Sequence, residues 1–80
     1  METVIRVVPK ENYCLELVFS TGEVRLFDVS PYLEMGVFRQ LKDNYLFSIA
    51  YVAFNTVCWP GEIDIAPETL YCLSTPVACS

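Results

Sequence analysis

The chain has 80 residues, 54% of them hydrophobic and 14% aromatic, with 10 acidic and 5 basic side chains and a formal net charge of -5. That length fits one domain, the apolar content excludes a disordered tail, and the acidic balance opposes a nucleic-acid backbone rather than attracting it. A globule of this size hides only about 60 to 65% of its unfolded surface, so this many apolar residues call for a partner or a second copy to cover the remainder.

Residues 3–8 form an apolar, β-branched run ended by Pro9, which reads as a strand. From Tyr13 to Phe19 the pattern alternates, with Tyr13, Leu15, Leu17 and Phe19 on one side and Cys14, Glu16 and Val18 on the other. Thr21-Gly22 offers a turn, and the strand over residues 23–28 returns to complete a hairpin. An even, two-residue loop is the favoured register and sets Phe19 opposite Val24 and Leu17 opposite Leu26. Threonine fits positive φ poorly, which leaves a glycine-bulged, three-residue loop open, with Leu17 opposite Arg25.

Ser30-Pro31 supplies a capping hydroxyl and a first-turn proline for a short helix over residues 31–35, ended by Gly36. Phe38, Leu41 and Tyr45 recur at helical spacing and predict a second short helix. Phe47, Ile49, Tyr51 and Ala53 then alternate as a strand, turned at Asn55-Thr56 into Val57-Cys58-Trp59. After a Pro60-Gly61 turn, Ile63-Asp64-Ile65 extends, and Ala66-Pro67-Glu68 opens a last helix that runs to Leu73. Asp28-Val29-Ser30-Pro31 and Asp64-Ile65-Ala66-Pro67 are the same device, a carboxylate placed to accept from amides at a helix mouth. Residues 74–80 are uncharged and patternless and read as a loosely held tail after a single domain over residues 1–73. The expected fold class is α+β, antiparallel hairpins covered by short helices.

The first thirty residues include Glu2, Arg6, Lys10, Glu11 and Glu16 with no long apolar core, so no secretory leader is expected. The longest apolar run, Ile49 to Phe54, is six residues and cannot span a bilayer, which needs about 20. Cys14, Cys58, Cys72 and Cys79 lack a C-x-x-C pair, and the chain has no histidine, so reduced thiols in a cytoplasmic protein are expected.

The segment from Trp59 to Tyr71 resembles the C-terminal signature of the bacterial domain-of-unknown-function-2442 family, approximately W-P-x-G-x-D-[IL]-x-P-[ED]-x-L-Y. Phe19-Ser20-Thr21-Gly22-Glu23 and Phe27-Asp28-Val29-Ser30-Pro31-Tyr32-Leu33 match its F-x-x-G-E and F-D-[LV]-x-P-x-L segments, and Gly36-Val37-Phe38-Arg39-Gln40-Leu41 with Phe47 match its middle. Glu62-Ile63 departs from the pattern, which has a shorter, small-residue link there. The resemblance implies a small cytoplasmic α+β protein without established activity. It implies a gene context, beside another small reading frame, of the toxin and antitoxin kind, and no catalytic residue carries over.

General acid/base chemistry has little to work with in a chain without histidine and with Lys10 and Lys42 as its two lysines, so no enzyme, catalytic residue or cofactor is expected. Glu62, Asp64 and Glu68 can be set around one turn as oxygen ligands for a divalent cation, against the plainer role of caps and solvated surface. The cysteines read as core filler, since no basic residue follows Lys42 to draw out a thiolate. Trp59, Tyr71 and Tyr51 read as core packing, or as interface anchors.

Residues 1–42 carry six acids and five bases, net -1, whereas residues 43–80 carry Asp43, Glu62, Asp64 and Glu68 without a base, net -4. The leading functional expectation is a cytoplasmic protein-interaction module, the antitoxin-like or regulatory half of a pair, binding a small basic partner through Trp59, Asp64, Glu68 and Tyr71. A homodimer is the other expected assembly, and direct nucleic-acid or membrane binding is not expected. The alternative is a small-molecule or metal-ion binding domain with Trp59 walling its pocket.

Overall fold

The computed structural model describes residues 3–77. Two antiparallel sheets and short helical segments enclose one core, and the domain is α+β. The first sheet has the order β1 (Val4–Pro9), β2 (Cys14–Phe19), β3 (Val24–Asp28) and β7 (Thr75–Pro76). The second has the order β4 (Tyr51–Ala53), β5 (Thr56–Trp59) and β6 (Ile63–Ile65). Short 3-10 segments at Ser30–Tyr32 and Gly36–Lys42, then helix α1 (Asn44–Ser48), link the sheets, and α2 (Pro67–Leu73) leads into β7.

The β1–β2 pairing slips between Val4 and Arg6, so Ile5 is a bulged extra residue. That explains how Val4 reaches the core at 2% exposure while Ile5 stands 60% exposed. In the β2–β3 hairpin Leu17 faces Arg25 and Val18 faces Val24, so the even register is overturned in favour of the three-residue loop. Gly22, at φ +93°, takes the left-handed position that Thr21 would have filled in the two-residue turn. The one-residue slip sends Val24 and Leu26 outward and sets Arg25 on the inner face beside Leu17.

Three further expectations are corrected. The segment after Asp28 is a single 3-10 turn rather than a helix over residues 31–35, and the Asp28 carboxylate, not the Ser30 hydroxyl, accepts from the backbone at its mouth (Ser30 N to Asp28 Oδ1, 2.9 Å). Phe47 and Ser48 lie in α1, not in a strand, because the Asp43 carboxylate caps a new helix by accepting from Tyr45 N at 2.9 Å. Asp43 itself is extended, which breaks the helical run from Phe38 and leaves Tyr45 73% exposed. The second hairpin turns at Phe54-Asn55, one residue earlier than expected, since Ala53 pairs with Thr56.

The tail expected from residue 74 begins as ordered structure. Ser74 is buried, Thr75 and Pro76 pair with Leu26 and Arg25, and Val77 N donates to Val24 O. Arg25 is the reason: its Nε donates to Ser74 Oγ at 2.7 Å, its Nη2 to Ser74 O at 2.8 Å, and its guanidinium lies 4.5 Å from the Tyr71 ring centroid. Residues 78–80, including Cys79, lie outside the described residues.

Glu23 completes this clasp, accepting from Tyr71 Oη at 2.6 Å and from Arg25 Nη1 at 3.1 Å. The Tyr71 hydroxyl, opposed by desolvation and aided by Arg25 and Thr21, holds the Glu23 carboxyl below the ordinary carboxylate range. A carboxyl lowered on folding stabilises the native state above its unfolded-state pKa, and that contribution is lost as pH falls through its folded-state pKa. Glu23→Gln should therefore be less stable than the parent chain near neutral pH and indistinguishable from it in strong acid. Urea titrations at stepped pH read this directly, and a constant difference across the range would refute it.

Candidate groove on the second sheet

Pairing across the second sheet puts Tyr51, Cys58 and Asp64 in one row, with Val52, Val57 and Ile65 on the opposite, core side in the next. The two turns stand at opposite ends of the strands, on either side of this row. Phe54 and Asn55 both have positive φ, +53° and +65°, the backbone of a two-residue type I′ hairpin turn. Phe54 is a poor residue for that conformation and is 90% exposed. At the other end, Pro60, Gly61 and Glu62 form the three-residue loop between Trp59 and Ile63, with Gly61 and Glu62 at positive φ. Glu62 thus lines the groove's rim at the point where the chain departs from the family pattern.

Between the turns lies a groove of about 580 Å³, lined by Tyr51, Phe54, Cys58, Glu62 and Asp64, with Trp59 and Ile63 beneath. Its walls are two exposed aromatic rings and two carboxylates. Cys58 forms the floor, and its Sγ donates to Ala53 O at 3.7 Å. Burial first, and the Asp64 charge second, push this thiol above its ordinary range, so it sits there as a small protonated hydrophobe, not a nucleophile. Cys14, Cys58 and Cys72 are free thiols.

The expected site residues do not converge. Trp59 is 1% exposed, its ring stacks on Phe47 at 6.1 Å and its Nε1 donates to Phe47 O at 3.1 Å, so it is core and has almost no surface to offer a partner. Tyr71 packs edge-on against Phe19 at 5.1 Å and bonds Glu23, which fixes it over the first sheet. Glu68 is an exposed first-turn acid of α2 and does not line the groove. Asp64 does line it, and in place of capping α2 it faces outward in mid-strand; no side chain caps that helix. Among the described residues, no three His, Cys, Asp or Glu side chains are grouped closely enough to hold a metal ion, so Glu62, Asp64 and Glu68 do not form the cation site.

Phe54 is the residue that sequence reasoning passed over. It ends the apolar run from Ile49, where it is indistinguishable from a strand residue, and its one local signal is the asparagine that follows, a residue at home in type I′ turns.

The architecture defines a small α+β domain of two antiparallel sheets, one of which carries an open, acid-rimmed aromatic groove. The chain belongs to the family described as protein of unknown function, DUF2442, whose model matches residues 4–76. No curated protein and no solved structure matches it. No helix among the described residues is long and apolar enough to cross a membrane.

Proposed function

We propose that this protein is a small interaction module whose groove on the second sheet receives a basic segment of a partner protein, the two forming a regulatory pair of the antitoxin-like kind. The observation that carries the reading is Phe54, a large apolar ring held in solvent on a backbone that disfavours it, lining the same groove as Tyr51 and the carboxylates of Glu62 and Asp64. Aromatic faces and carboxylates together suit an arginine or lysine side chain, by cation–π contact and ion pairing at once. The absence of any basic residue after Lys42 in the sequence leaves that field uncompensated from within residues 43–80. The free thiols accord with a reducing cytoplasm.

Phe54→Asn separates function from stability. Asparagine accepts left-handed φ, so the variant should be more stable than the parent chain by about 1 kcal/mol, read as a raised thermal midpoint. Association should fall by about thirtyfold or more, as for loss of a central aromatic anchor. The measurement is light scattering on the chain co-expressed with the product of the neighbouring reading frame, at low and high salt. A heterocomplex that salt and Phe54→Asn both weaken supports the reading. One that is indifferent to both places the contact elsewhere.

A further inference from the structure

The first sheet has an outer face that the core does not use. Register places Arg6, Val18 and Val24 in one row across β1, β2 and β3, and Val8, Glu16 and Leu26 in the next. Val24 and Leu26 are 36% and 39% exposed, and the β1 bulge adds Ile5 at 60%. Val8 and Val18 are half-buried and are not among the residues packed against the core cluster. A sheet that leaves one face to water ordinarily makes that face polar. Here four of the six positions in the two rows are apolar.

The other two positions are Arg6 and Glu16, of opposite sign. At the end of the face Lys10 N donates to Cys14 O at 2.7 Å and Cys14 pairs with Asp28, which adds a second base and a second acid. These four charges cancel, while the remaining eight acids and three bases of the sequence carry the whole net charge of -5. Association of two acidic copies through other surfaces sets like charges together, whereas this face is neutral and internally complementary.

We propose that the outer face of the first sheet is the contact with a second copy of the chain, in a two-fold, concentration-dependent homodimer. A two-fold contact is self-complementary, so an axis passing between Arg6 and Glu16 sets each copy's arginine against the other's glutamate, with Val8, Val18, Val24 and Leu26 closing around them. The dimer leaves the groove of the second sheet open in both copies, and it does not depend on the groove's having a partner.

Sedimentation equilibrium of the full chain, under reducing conditions because Cys72 is exposed, tests this. The weight-average mass should rise with concentration from 9.1 kDa toward twice that value. Arg6→Glu and Glu16→Arg, each alone, should weaken the dimer by about tenfold or more, and the two together should restore it to within about threefold of the parent chain. Leu26→Ser, an exposed position, should weaken it by about tenfold without altering the circular dichroism spectrum, which covers the case of a charge variant that fails to fold. Phe54→Asn should leave it unchanged. A monomer at every concentration overturns the proposal, as does a dimer that tolerates both single reversals or is not restored by the double reversal.

Discussion

Trp59→Ala should lower the stability of the chain by about 3.5 to 6.5 kcal/mol. Trp59 lies fully in the core, and its loss removes a stacked partner from Phe47 and one of two donors to the Phe47 carbonyl, Ala50 N being the other. Truncating a buried aromatic costs about 3 to 5 kcal/mol, and the lost indole hydrogen bond adds about 0.5 to 1.5, since the Phe47 carbonyl still accepts from Ala50 N. A domain of this length has a net stability of about 4 to 12 kcal/mol, so the variant gives up a large fraction of the whole. Circular dichroism and a urea titration read the result directly. Trp59→Phe is the control, since it keeps a ring against Phe47 and loses the donor, and it should remain folded with a loss of about 1 to 3 kcal/mol. A Trp59→Ala chain as stable as the parent would show that the sheets can close without this ring.

The second large effect belongs to Arg25→Ala. Its side chain is 12% exposed and holds Ser74 through both Oγ and the backbone oxygen while covering the Tyr71 ring. A charge-assisted bond contributes about 1.5 to 3 kcal/mol and the cation–π contact about 0.5 to 1, so a loss of about 2 to 4 kcal/mol is expected in the equilibrium stability. The damage should be local first: hydrogen exchange at Val77, whose amide donates to Val24, should accelerate far more than exchange within β2. Arg25→Lys should not rescue it, since an ammonium cannot span both Ser74 oxygens and lie flat on the ring. Unchanged exchange at Val77 would mean that β7 is held by its strand pairing alone.

Strands were legible where side chains alternate against one core, as Leu15, Leu17 and Phe19 do. The α+β class followed from that and from Pro31 and Pro67 opening helical turns. The hairpin register was not legible, because Thr21-Gly22 suits either loop length and the choice rests on which residue must take positive φ. The Phe47 segment misled because alternation at residues 47–53 mimics a strand, and the deciding contact is a single capping carboxylate, Asp43. Ser74 and Thr75 have no local pattern at all; what orders them is Arg25, 49 positions earlier in the chain. The groove was half legible. Asp64 and Tyr51 stood out by residue type, while Phe54 and Glu62 matter through turn geometry, and Trp59 and Tyr71 carry the composition of anchors but are occupied by the core and the clasp.

The clasp between Arg25 and Ser74 also sets an order of assembly. The β1–β2–β3 meander is closed by near neighbours in sequence and pairs over short loops, on the microsecond scale of hairpin formation. The β7 contact instead closes a span of 49 residues that contains the entire second sheet, so its entropy cost is met only after that intervening chain has collapsed. Sealing the β3 edge is therefore expected as a late step. Until it happens β3 presents open backbone groups for misplaced strands to pair with, so the interval before closure is when the chain is most exposed to aggregation.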